Sequence, residues 1–498
     1  MHFRAFRAFL VPVWLALGSI AAASPSADAA TCAADPSAPV FSALAPAQQQ
    51  QLDDLEHRTF EFFWDTANPA NGLVPDHWPG ESFSSIAAVG FGLTAYGIGA
   101  ERGWVTRKQA AQRTLATLRF FVDAPQNDSE DAAAGYRGFF YHFLDMQTGL
   151  RHSREIELSS IDTTLLLGGV LFAQSYYDRD TPAERRIRKL AERIYRRVDW
   201  TWFRARPPLV AMGWRPESDF GRADWEGYNE AILLYVLALG SPTHALKSEA
   251  WQAWTSTYKR KWGTFQGYTF LNFGPLFGHQ YSASWIDFRG IGDAWMRRHH
   301  MTYFDNSRCA ARAQRAYAIA NPNGWTGYGA DLWGLTASNG PGDFTFSAPG
   351  SRGVFFSYMA RGAGLGYIHD DGTIAPTAAA GSIAFAPKIA IDAIDHMIER
   401  YGKTVYGKYG FLDAFNLSFH HRDVTPRSGR VVPGFGWVDN KYLGIDQGPI
   451  LLMLENYRSG LVWKVMRRNP YIRRGLLRAG FTGGWLDDGR DDTATAVP

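Results

Sequence analysis

Carboxylates that sit beside aromatic rings at the start of apolar helical runs are the residues of this chain best suited to chemistry. The stretch Arg154-Glu-Ile-Glu-Leu-Ser-Ser-Ile-Asp-Thr-Thr-Leu-Leu-Leu-Gly-Gly-Val170 sets Glu155, Glu157 and Asp162 at the mouth of such a run. Ser159 and Ser160 stand there where an N-cap belongs. Asp224, Glu226 and Glu230 surround a second start, in Asp224-Trp-Glu-Gly-Tyr-Asn-Glu-Ala-Ile232. Asp446 opens a third, and Asp287 lies in Ser284-Trp-Ile-Asp-Phe-Arg289. Glycosidic cleavage needs one protonated carboxyl to serve the leaving oxygen and one carboxylate to activate water or attack carbon. Several acids gathered at an aromatic-rich end meet that demand. Each acid also has a plain structural reading. Ser159-x-x-Asp162 matches a capping box, Asn229 is a candidate N-cap with Glu230 as a first-turn acid, and Asp446 can cap a helix with Pro449 in its first turn. A cap alone does not call for Trp and Tyr beside it.

Other chemistries find less support. The chain has no Cys-x-x-Cys, no His-Glu-x-x-His, no Gly-x-Ser-x-Gly elbow and no phosphate loop. The pairs His299-His300 and His420-His421 are adjacent, so their side chains diverge in regular structure. No metal or other cofactor is expected. The net charge of +3 creates no field for nucleic acid or an anionic membrane surface. Aromatic residues make up 15% of the chain, a composition that suits either a large core or a carbohydrate cleft, where flat rings meet the C–H faces of sugars.

The elements that must hold these acids read as helices. Residues 1–23 carry Arg4, Arg7, a short apolar stretch and Ala21-Ala-Ala23, the pattern of an export signal. No later run is long and apolar enough for a membrane anchor, so the expected location is periplasmic or secreted. Residues 24–45 read as a linker, 46–484 as one domain and 485–498 as a disordered tail. Cys32 and Cys309 can pair in an oxidising compartment, although Cys32 falls in the linker. Runs apolar on every side (Ser84–Gly99, Ser159–Tyr177, Tyr228–Leu239) alternate with amphipathic ones (Lys108–Phe121, Ala183–Val198, Ser248–Arg260). Buried inner helices and half-wet outer helices are what a two-layer helical toroid requires. Ser-Ser-Ile recurs at 84 and 159, each time before an inner-type run. Residues 122–135, 273–290 and 321–350 read as long loops, and Gly362-x-Gly-x-Gly366 as a turn after a helix.

Four segments carry a resemblance: Gly138-Phe-Phe-Tyr-His-Phe143, Glu157-Leu-Ser-Ser-Ile-Asp-Thr-Thr-Leu-Leu166, Gly227-Tyr-Asn-Glu-Ala231 and Gly444-Ile-Asp-Gln-Gly-Pro449. The chain resembles the glycoamylase-like proteins, which include glycoside hydrolase family 144, from about Leu52 to Gly483. The resemblance implies an all-α (α/α)6 toroid with minor β structure. It also implies inverting hydrolysis of β-1,2-glucan, with Asp162 and Glu230 as the catalytic acids and Glu157 as an accessory. The motifs leave open which of Asp162 and Glu230 is acid and which is base; Glu230 is the better suited to general acid, because Trp225 and Tyr228 can raise its pKa. Asp162, among hydroxyls, suits the base. Trp214, Trp225, Tyr228, Trp285 and Trp333 are candidate sugar platforms. His279, Gln280, Asp287, Arg289, Asn339 and Asp446 are candidate partners for sugar hydroxyls. The expected partner is an oligo- or polysaccharide, bound by a monomer. Rival readings are another glycan on the same acids, transglycosylation, and a non-catalytic carbohydrate-binding protein.

Overall fold

Helices that are apolar on all sides must be buried on all sides, and among the described residues six largely buried helices, most of them of this kind, line the centre of the molecule. The computed structural model describes Cys32, residues 38–347 and residues 353–487. In Ile86–Glu101 every residue from Ile86 to Gly99 is buried, and in Ile232–Gly240 every residue is. Ser160–Tyr176, Phe277–Trp285, Pro376–Ala380 and Gly444–Arg458 are the other four. Ile86–Glu101 lies against Ser160–Tyr176, which lies against Ile232–Gly240. Leu233 N–H donates to Ser282 Oγ at 3.0 Å, Gln280 Nε2 to Ala378 O at 2.9 Å, and Thr377 Oγ1 to Asp446 O at 2.8 Å. Gly444–Arg458 then packs back on Ile86–Glu101, so the contacts run round a closed circuit. The tightest approach is between the first two helices. A Cβ on Gly90 would lie 2.1 Å from Leu165 O, and one on Gly169 2.0 Å from Gly90 O. Only hydrogen fits at these crossings.

Amphipathic helices flank this centre. In Pro182–Arg196, Ile187, Leu190, Ala191, Ile194 and Tyr195 face inward, while Arg185, Arg186, Lys189 and Arg193 are exposed. Thr181 caps it by accepting the Glu184 N–H. Pro46–Thr66, Arg107–Asp123, Tyr303–Ala320 and Pro387–Val405 have the same one-sided burial.

The chain is mostly helical, with more strand than the minor component expected from the sequence. The connections pair two to four residues at a time because their backbone groups need partners away from water. A five-stranded antiparallel sheet runs in the order Gly135–Tyr136, Phe139–Tyr141, Leu158–Ser159, Gly213–Arg215, Asp219–Phe220. Its third strand leads directly into Ser160–Tyr176. A four-stranded sheet joins Thr373–Ile374, Phe415–Asn416, Gly436–Val438 and Arg430–Val432. The glycine run at 362 is a hairpin, Gly362–Gly364 paired with Tyr367–His369, rather than a turn after a helix.

Phe277–Trp285 lies inside a stretch expected to be a loop. His279, Gln280, Ser282 and Ser284 hide its helical character, because each spends its polarity on an internal hydrogen bond. Cys32 is buried and disulfide-bonded to Cys309 on Tyr303–Ala320, with Cα atoms 5.1 Å apart. Within the stretch expected to be a linker, Leu44 is buried and the Arg458 guanidinium covers the Phe41 ring. The expected export signal lies outside the described residues, as does the expected tail beyond Asp487.

Candidate active site

The N-terminal ends of the inner helices bring the acids together. Asp162 is in the first turn of Ser160–Tyr176 and Asp446 in the first turn of Gly444–Arg458. Glu230 sits two residues before Ile232–Gly240. Asn229 does not cap that helix. Its Oδ1 accepts the Ala231 N–H in a local turn, and Ser282 Oγ donates to Glu230 O at 2.7 Å. The Tyr281 phenol lies within electrostatic reach of Asp446, Glu230 and Asp162, and the Tyr358 phenol within reach of Asp446, Asp76, Asp413 and Asp162. These acids therefore share one region.

The five-stranded sheet builds one side of it. Phe140 pairs with Ser159 and Leu158 with Trp214, which aligns His142, Glu157 and Asp162. His142 Nδ1 is 3.0 Å from Glu157 Oε1, and Nε2 is 3.4 Å from Asp162 Oδ2. Burial alone would lower the His142 pKa, but the charges of Asp162 and Glu157 raise it to about 9. The imidazolium thus bridges two carboxylates at neutral pH. Burial raises Glu157, yet the His142 hydrogen bond and Arg215, at 3.3 Å, bring it below its ordinary value. Burial wins at Asp162 and leaves it raised, although His142 and the Ser159 hydroxyl, donating at 2.6 Å, both favour its charged form. Ser159 Oγ also accepts the Asp162 N–H at 3.2 Å. The Ser159–Asp162 pair is therefore a helix cap and a carboxylate anchor at once.

Glu230 is built differently. Among the described residues no cation faces it, and its Oε2 is shielded from solvent with no hydrogen-bond partner. Burial and the Asp162 charge raise its pKa to about 7. A carboxyl that stays protonated near neutrality next to one that a histidine helps to ionise can carry out general acid and general base work.

The other residues nominated from sequence fall in several places. Trp225 is close to the acids and donates from Nε1 to Ser160 Oγ at 2.9 Å. Asn339 reaches Asp413 through its backbone N–H and Asp439 through its amide, both at 2.8 Å. Tyr228 OH bonds His279 Nδ1 at 2.8 Å, while His279 Nε2 faces Phe273 O. Burial lowers the His279 pKa to about 4, so it is a neutral packing residue with both nitrogens engaged inside the protein. Gln280 is buried and ties Phe277–Trp285 to Ala378 and Ser382. Trp285 is buried on Thr94 Oγ1, and Trp333 is fully buried. Trp214 packs on Tyr136 and Trp202 and bonds Asp219. Asp287 and Arg289 pair with each other beyond the C-terminal end of Phe277–Trp285, where Arg467 joins them. That is the opposite end from the acids.

The five rings nominated as platforms are thus covered by protein. Two other rings near the acids are open: Trp78 at 39% exposure and Tyr358 at 47%. Trp78 follows Asp76 and pairs with Tyr442, just before the Asp446 helix. Sequence reasoning also passed over His142, although it stands in the Gly138–Phe143 segment as a polar residue in an aromatic strand. Asp413, alone between Leu412 and Ala414, offers no local signal.

A helical fold with paired carboxylates at one end of its inner helices is an arrangement that acid–base cleavage of a glycosidic bond can use. The chain belongs to the glycoamylase-like family: the Glycoamylase model, described as "Putative glucoamylase", matches residues 222–470. A solved Bacteroides uniformis protein of the same description is 31% identical, with a TM-score of 0.76, covering 89% of this chain and 100% of that one. The endo-β-1,2-glucanase of Chitinophaga pinensis, solved with sophorotriose and glucose, is 27% identical with a TM-score of 0.75, over 89% of this chain and 100% of that one. The exo β-1,2-glucooligosaccharide sophorohydrolase of Parabacteroides distasonis is 28% identical over 459 residues, which is 86% of this chain but 57% of that protein.

Proposed function

We propose that the protein is an exported, monomeric glycoside hydrolase that cleaves β-1,2-linked glucan with inversion. Glu230 is the general acid, Asp162 the general base, and Glu157 an accessory that holds His142 in place. The observation that carries this reading is the contrast in one site between Glu230, raised to about 7 with no cation, and Asp162, held by His142 and Ser159. Glu230 gives its proton to the leaving oxygen, and Asp162 takes one from the attacking water. Inversion calls for carboxyls roughly 6.5–9.5 Å apart, which leaves room for that water. The closed circuit of six inner helices supports an (α/α)6 toroid. The β-1,2-glucan specificity named for the Chitinophaga and Parabacteroides relatives supports the substrate. The Cys32–Cys309 bridge supports export, since such bonds persist in oxidising compartments. Trp78 and Tyr358 supply the open faces on which sugar rings lie.

The test is incubation of the purified protein with linear β-1,2-glucan and, in parallel, amylose. Sophoro-oligosaccharides from the first and nothing from the second are expected. Products from amylose alone would sink the substrate assignment. The size distribution of the products separates exo from endo action, and prompt release of the β-anomer would contradict inversion.

A further inference from the structure

The site holds a pair of acids that the two catalytic roles leave unused. Asp413 stands between strands Gly410–Phe411 and Phe415–Asn416, and Asp446 lies in the first turn of Gly444–Arg458. Both are buried, at 2% and 3% exposure. Their carboxyl groups are within hydrogen-bond contact of each other. Asp413 Oδ2 accepts the Asn339 N–H at 2.8 Å. Asp413 Oδ1 and Asp446 Oδ2 are shielded from solvent, and no N–H or hydroxyl of another described residue reaches them. Two carboxylates in contact in such a place cannot both stay charged. Asp439, alongside, has its oxygens filled by the Ser428 hydroxyl, the Asn440 N–H and the Asn339 amide. Its proximity adds to the electrostatic push on Asp413. Among the described residues, the other titratable groups that face the pair are Asp76, Tyr281 and Tyr358, and none of them is a cation.

We propose that Asp413 is held protonated and donates its O–H to Asp446, which makes Asp413 a positioning residue that fixes the carboxylate Asp446 presents to the substrate. Burial and the charges of Asp446 and Asp439 push Asp413 well up. Burial also raises Asp446, while the bond from Asp413 favours its charged form. The geometry suits a neutral acid: one oxygen receives the Asn339 N–H and the other gives a proton away.

An amide reproduces that pattern, and a carboxylate or an alkyl group does not. The kinetic arm of the test rests on the hydrolase reading, and the spectroscopic arm does not. On β-1,2-gluco-oligosaccharides, Asp413→Asn should keep kcat/KM within about threefold of wild type with the acidic limb of its pH profile unmoved, as expected when a neutral donor replaces a neutral donor. Asp413→Leu removes the donor, so the Asp446 pKa rises; kcat/KM should fall about tenfold and the acidic limb should move up by about one pH unit. A downward shift of a unit or more in Asp413→Asn, or a loss of about a hundredfold, would mean that native Asp413 is charged, and would overturn the proposal. The infrared difference between wild type and Asp413→Asn at pH 7 should show one protonated-carboxyl band, displaced in Asp446→Asn. Its absence also overturns the proposal. If the band is present but no glucan is cleaved, the substrate reading fails and the proton assignment stands.

Discussion

The two ends of the inner helices hold similar numbers of buried acids but treat them in opposite ways. At the C-terminal end most carboxylates meet arginine, although Asp293 is bonded instead by Trp251, Tyr303 and the Met296 N–H. Arg102 clasps Glu455 with two bonds of 2.7 and 2.6 Å, Arg107 clasps Glu184 with two of 2.9 Å, and Arg289 and Arg467 both hold Asp287. Burial raises Glu184, but the Arg107 bonds leave it below its ordinary value. Glu56 is pushed up by burial and by Glu455, yet Arg458 lies 2.9 Å away. At the N-terminal end one imidazolium serves both Asp162 and Glu157, and among the described residues Glu230 and the Asp413–Asp446 pair face no cation. The helix ends contribute to this asymmetry. Free carbonyls at C-termini draw arginines, as Tyr176 O draws Arg107, whereas the N-terminal dipole eases a negative charge without neutralising it. Paired acids hold the fold together. Acids left short of cations keep raised pKa values, the condition under which a carboxyl can hold a proton near neutral pH.

The sharpest break in this comparison is removal of an acid from the N-terminal end. Glu230→Gln and Asp162→Asn should each lower turnover of β-1,2-glucan by about 10³-fold or more, with circular dichroism unchanged. A variant that keeps more than a tenth of the wild-type rate would return its residue to a capping role.

The matching change at the other end should do the reverse. Arg102→Met leaves Glu455 buried without its main partner and should cost about 3 kcal/mol of stability in urea unfolding, while kcat at 25 °C stays near wild type. A large loss of kcat with unchanged stability would show that the two ends do not divide structure from chemistry.

The pH profile sharpens the distinction further. A general acid must be protonated, so kcat/KM should fall as pH rises through about 7, where Glu230 titrates. A plateau persisting beyond pH 9 would remove Glu230 from that role. His142→Gln removes the cation that favours charged Asp162, so the Asp162 pKa should rise. The acidic limb should then move upward by about one unit, as for loss of a close counter-charge. The raised His142 pKa also links to stability: its contribution is full below about pH 6.5, the ordinary histidine value, and is lost as pH rises through about 9.

The smallest effect is expected at the open rings. Tyr358→Ala and Trp78→Ala should each raise KM about three- to tenfold with little change in kcat, the scale of one lost aromatic contact. An unchanged KM in both would place the sugar-binding faces elsewhere.

The sequence by itself determined the inner helices with unbroken apolar runs, because a helix with no wet face has nowhere to go but the centre. It also determined the acids at their starts, since Asp162, Glu230 and Asp446 belong to the same short segments as the helix boundaries. Phe277–Trp285 was not legible, because polar residues whose hydrogen bonds are made inside the protein, several of them to distant partners, erase the periodicity that marks a helix. The aromatic platforms were misjudged for a related reason: composition reveals a ring but not what covers it. Tertiary structure alone decided that His142 bridges Glu157 and Asp162, that Asp287 and Arg289 lie at the far end, and that Asp413 meets Asp446 from 33 positions away. Those outcomes depend on which charges face one another across the fold, and a charge's neighbours in space are not its neighbours along the chain.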